Sequence, residues 1–130
     1  MAIERKTVPL FGIWVWFCDD VADARKFMES YDEDPATIDD LMKARGFCAR
    51  LTARDGREAS LMCVFEKEEW VEIAIHEAVH AAWATLRHVQ VKVKPNTDEE
   101  PLAYLTSWFG AEMIAFLAKG RGLTPDLTTE

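Results

Sequence analysis

Apolar and polar positions change period several times along the chain, and each change marks an element. Val8 to Phe17 is almost continuously apolar, rich in β-branched and aromatic residues, and reads as a strand covered on both faces. Trp14 and Trp16 within it are expected in the core, with an exposed partner surface as the alternative. Asp19 and Asp20 offer a helix start, and Val21 to Tyr31 carries a helical pattern. In Asp32-Glu33-Asp34-Pro35, Asp34 is the expected cap and Pro35 the first residue of a short helix that runs to about Arg45. Asp39 and Asp40 on it form a solvated face or an acidic partner surface.

Gly46 ends that helix, and Phe47 to Glu66 reads as a β-hairpin turning at Asp55-Gly56. If Arg54 and Arg57 flank a two-residue turn, Phe47, Ala49, Leu51 and Ala53 share a face with Ser60, Met62 and Val64. The same register sets Cys48 opposite Cys63 at a hydrogen-bonded position, whose spacing suits two neighbouring thiols better than a bridge. From Glu68 to Arg87 no Gly or Pro interrupts, and a long helix is expected. Val89 to Lys94 alternates as a brief extended segment before Pro95 and Asn96 turn the chain. A last helix, Pro101 to Lys119, is stopped by Gly120 and Gly122. These elements predict an α+β chain: an antiparallel sheet that includes the 47–66 hairpin, packed on the 68–87 helix and the C-terminal helix. Residues 1–122 form one domain, and 123–130 a flexible tail.

Composition narrows the function classes. Apolar residues at 49% and charged residues at 29% suit a packed globule and argue against disorder. A net charge of -8 without a basic stripe excludes nucleic acid as a partner. No apolar run is long enough to span a membrane, and no cleavage site follows the short stretch Val8 to Cys18, so a cytoplasmic location is expected. Cys18, Cys48 and Cys63 are odd in number and lack ligand spacing to one another, as befits reduced thiols.

The candidate chemistry lies in His76-Glu77-Ala78-Val79-His80. On a helix, residues four apart share a face, so His76 and His80 can direct imidazole nitrogens at one point with Glu77 beside it. Zinc takes neutral imidazole readily, and a neighbouring carboxylate can deprotonate the water that it acidifies. The pattern is that of a metal-dependent hydrolase with Glu77 as general base. A catalytic site usually has three protein ligands. His88 follows His80 without the Gly needed to turn back, and reads as a surface histidine; carboxylates remain.

His-Glu-Ala-Val-His-Ala together with Glu100-Pro101-Leu102-Ala103-Tyr104-Leu105 resembles the gluzincin zinc peptidases. It is closest to small metallopeptidase-like proteins of bacteriophages and prophages. The resemblance covers about the last half of the chain and implies a minimal zincin-like fold. It also implies Zn2+ held by His76, His80 and Glu100, and peptide hydrolysis in the host cytoplasm. Pro101 disfavours helical geometry at Glu100, and Thr97 to Glu100 also reads as a capping box, so Glu99 and Asp98 stay open as ligands. Many gluzincins carry an aspartate where this chain has Tyr104. Tyr104 either donates its phenol to a histidine network or a developing oxyanion, or is a half-buried core residue. A strand such as Leu61 to Phe65 is expected to hold the peptide by strand addition. The other expectation is a zinc-binding protein that uses a peptidase-like scaffold to engage a host or virion protein.

Overall fold

The computed structural model describes residues 3–91 and 99–123. Ile3–Thr7 (β1) and Trp14–Cys18 (β2) pair antiparallel. The apolar run that reads as one strand is therefore divided. Val8 is buried, and its N–H donates to the carbonyl of Ile13 at 2.7 Å across a reversal in which Leu10 and Gly12 have left-handed φ of 73° and 65°. The two tryptophans part company: Trp16 packs with its ring centroid 5.2 Å from that of Phe27, whereas Trp14 is 54% exposed beneath the guanidinium of Arg5.

Val21–Ser30 (α1) starts on Asp20, whose carboxylate accepts from the Asp23 N–H at 2.9 Å. Pro35–Met42 (α2) starts on Asp34, which accepts from the Thr37 N–H at 3.3 Å. In each case a short acceptor satisfies an orphan donor of the first turn. Gly46–Thr52 (β3) and Glu58–Val64 (β4) form the expected hairpin, followed by Trp70–His88 (α3) and Glu100–Gly120 (α4).

The sheet order is β1-β2-β4-β3, and the sheet is mixed, not antiparallel: β2 and β4 run parallel, with Trp16 opposite Leu61 and Cys18 opposite Cys63. Two helices and β3 intervene between these strands, a connection long enough for parallel pairing. The hairpin register also differs from expectation by one residue. Its loop spans three residues, with the Ala53 N–H donating to the Arg57 carbonyl at 2.8 Å and Gly56 at φ 92°, so Phe47 faces Cys63 and Cys48 faces Met62. A slip of one residue exchanges the two faces of a strand. Cys48 thereby turns toward α3.

Helices cover both faces. Met28 of α1 and Ile38 of α2 pack with Cys18, Phe47, Leu51, Leu61 and Cys63. On the other face, α3 and α4 pack with Val15, Phe17, Met62 and Val64. α3 and α4 are antiparallel: Gly110 lies opposite Ala78, and Arg121 lies over the ring of Trp70. Alanines at 74, 78, 81 and 82 are buried and let α3 approach its neighbours closely. No helix among the described residues is long and apolar enough to cross a membrane. The tail beyond Leu123 lies outside the described residues.

Candidate functional site

The corner leading into α3 is fixed by two arginines. Arg45 Nε donates to Glu66 Oε2 at 2.8 Å and its Nη2 to Glu69 Oε2 at 3.0 Å, bracing Glu69 in left-handed backbone at φ 50°. The guanidinium of Arg45 holds the Glu66 carboxyl below its ordinary value. Arg121 donates from α4 to the Glu66 carbonyl at 2.8 Å and stacks on Trp70. The start of α3 is thus tied to both β3 and the end of α4.

On α3, His76 and His80 lie on the solvent side with ring centroids 4.9 Å apart at an interplanar angle of 69°. Glu77 is tucked beside them into the seam between α3 and β3. Its side chain is only 8% exposed, and Oε2 stands 3.9 Å from His76 Nε2. Gly46 makes room for it: a Cβ there would stand 2.7 Å from Ile73 Cγ2, 2.9 Å from the Cys63 carbonyl and 3.3 Å from Glu77 Cγ. The Cys48 thiol donates to the Glu77 carbonyl at 3.3 Å. Burial, with the Glu77 carboxylate next, pushes this thiol well above its ordinary value. The seam opens to solvent as a groove lined by Phe47, Glu77, His80, Ala84 and Arg87 among others.

The remaining expected site residues do not join this cluster. Glu100 begins α4 and is exposed. Ten residues, about 15 Å of helical rise, separate it from Gly110 opposite Ala78, whereas His80 is two residues, about 3 Å, beyond Ala78. Glu100 therefore stands toward the C-terminal end of α3. Its backbone is helical despite Pro101, which occupies the first turn. Glu99 caps α4 in helical backbone without a side-chain cap bond, and Asp98 lies outside the described residues, as does Thr97 of the expected capping box. Tyr104 is 49% exposed, so it is not a core residue. Among the described residues no three His, Cys, Asp or Glu side chains converge as a metal site.

His88 is exposed, as expected, with Nε2 3.2 Å from Arg50 Nη2. Val89 to Val91 form no strand, and residues 92–98 of the expected extended segment and turn lie outside the described residues. Leu61 to Phe65 cannot receive an added strand along β4, because β4 is paired on both sides; the free edge near α3 belongs to β3. Gly46, Cys48 and Arg87 escaped sequence reasoning. Gly46 looks like a helix stop, and Cys48 is assigned to the wrong face by the two-residue turn. Arg87, seven residues after His80 and on its face, was accessible from helical periodicity alone.

Compared with protein-family models, with curated proteins and with solved structures, the chain matches none.

Proposed function

We propose that this protein is a zinc-dependent metallopeptidase of phage or prophage type. The observation that carries the reading is the pairing of two adjacent, solvent-facing imidazoles with a nearly buried carboxylate on the next residue of the same helix. A glutamate so placed is costly as mere structure: Glu77 is nearly buried in space that Gly46 leaves open, and an apolar side chain would fill it better.

His76 and His80, exposed imidazoles one helical turn apart, would supply two positions of a zinc site. The third donor is not among the residues brought together; the resemblance assigns it to Glu100, with Glu99 and Asp98 as alternatives. Zinc, when bound, supplies Lewis acidity toward water and the substrate carbonyl. Glu77 accepts the proton of the attacking water and returns it to the leaving amine, so that one C–N bond breaks and one C–O bond forms. Tyr104, exposed on α4 and outside this cluster, is given the role of phenol donor to a developing oxyanion by the resemblance alone.

The exposure of Trp14, 54% on β2, favours one second reading, a zinc-binding scaffold that engages a host or virion protein. A mixed peptide library separates the two. The peptidase cleaves it, and Glu77→Gln abolishes cleavage while zinc is retained; zinc retained without cleavage by the parent chain supports the scaffold.

A further inference from the structure

The groove beside Glu77 and His80 continues into a neighbouring cavity between the sheet and α3. Cys48, Ala84 and Arg87 line both. The cavity measures about 410 Å³ and is walled in part by Val8, Val15, Met62 and Phe109, each no more than 3% exposed. At its rim stand the cations Arg50 and Arg87, with His88 beside them, in a chain whose net charge is -8. Arg50 is committed: it donates to Glu58 at 3.0 Å, to Ser60 at 2.8 Å, and lies 3.2 Å from His88 Nε2. The guanidinium of Arg87 forms no hydrogen bond or ion pair among the described residues.

From this juxtaposition we infer that the cavity receives the free C-terminal end of a peptide, with its last apolar side chain inside and its carboxylate on Arg87. The inference rests on the peptidase reading of the same groove. A guanidinium without a side-chain partner at the junction complements a terminal carboxylate, and the apolar walls beside it accept the last side chain, so a chain end suits the site better than an uncharged internal segment. Arg87 is seven residues beyond His80, about 10 Å of helical rise, and an extended peptide covers that span in about three residues. The substrate class is therefore peptides with a free, apolar C-terminus, cut about three residues from the end.

The test measures binding, using the full chain carrying Glu77→Gln and three calorimetric probes: N-acetyl-Ala-Leu-Phe as the free acid, the same peptide as its amide, and N-acetyl-Ala-Leu-Glu amide. The acid is expected to bind about tenfold more tightly than either amide, and adding Arg87→Gln, an exposed substitution, is expected to bring all three within about twofold. Equal binding of acid and amide, equal binding of the acidic side chain, or a preference that survives Arg87→Gln overturns the proposal. A binding preference in a chain whose Glu77 form cleaves nothing refutes the peptidase reading and leaves the pocket standing. Cleavage without the preference does the reverse.

Discussion

The thiol of Cys48 on β3 donates to the backbone carbonyl of Glu77 on α3 across 3.3 Å. That contact, with the missing side chain of Gly46 two residues earlier, sets how closely the candidate helix approaches the sheet. It also sets where the Glu77 carboxylate lies.

Gly46→Ala tests the close approach. The new methyl would stand 2.7 Å from Ile73 Cγ2 and 2.9 Å from the Cys63 carbonyl, so backbone or helix must shift. We expect a loss of about 1–3 kcal/mol in urea denaturation, as for an overpacked core, with Glu77 displaced and any peptidase activity reduced. An unchanged stability would show that α3 is not seated against β3 as described.

The buried thiols make stability fall in alkali. Cys48 and Cys63 are both pushed well above the ordinary thiol value of 9.0, by burial first. A raised folded value means that their contribution is complete below about 9 and is lost as pH rises through the folded value. Cys18 works the other way, because the Cys63 thiol hydrogen-bonds to it and lowers its value. Denaturation measured between pH 8 and 11 should show falling stability, with a shallower fall in Cys48→Ala. Equal slopes in the two proteins would contradict the enclosure of Cys48.

Arg121→Ala tests the clamp at the start of α3. It removes the hydrogen bond to the Glu66 carbonyl, the bond to the Leu117 carbonyl at 3.2 Å and the stack on Trp70. Such contacts together are worth about 1–3 kcal/mol, and the loss should appear as earlier thermal unfolding. A melting temperature equal to that of the parent would remove the clamp from the account.

Local signals carried much of this fold into the sequence. Asp20 and Asp34 announce α1 and α2 because a short side-chain acceptor before a helix acts within one turn. The stretch around His76 announces α3 because nothing in it interrupts a helix. The parallel pairing of β2 with β4 depended on contacts between distant residues, for which the chain carries no local sign. The hairpin register turned on whether the loop held two residues or three. Both suit Asp55-Gly56, and the wrong choice sent Cys48 to the wrong face. For the site, helical spacing placed His76, Glu77 and His80 together. Glu100 rested on family pattern, and the antiparallel run of α4 sets it near the far end of α3.

Zinc titration of the purified full chain decides whether His76 and His80 hold one zinc ion, as we propose. We expect one zinc per parent chain, bound at micromolar or lower concentration, and at least about a hundredfold weaker binding in His76→Ala and in His80→Ala. Glu77→Gln should keep the metal. A parent chain that binds no zinc, or a His76→Ala, His80→Ala double variant that binds it as well as the parent, would contradict the account.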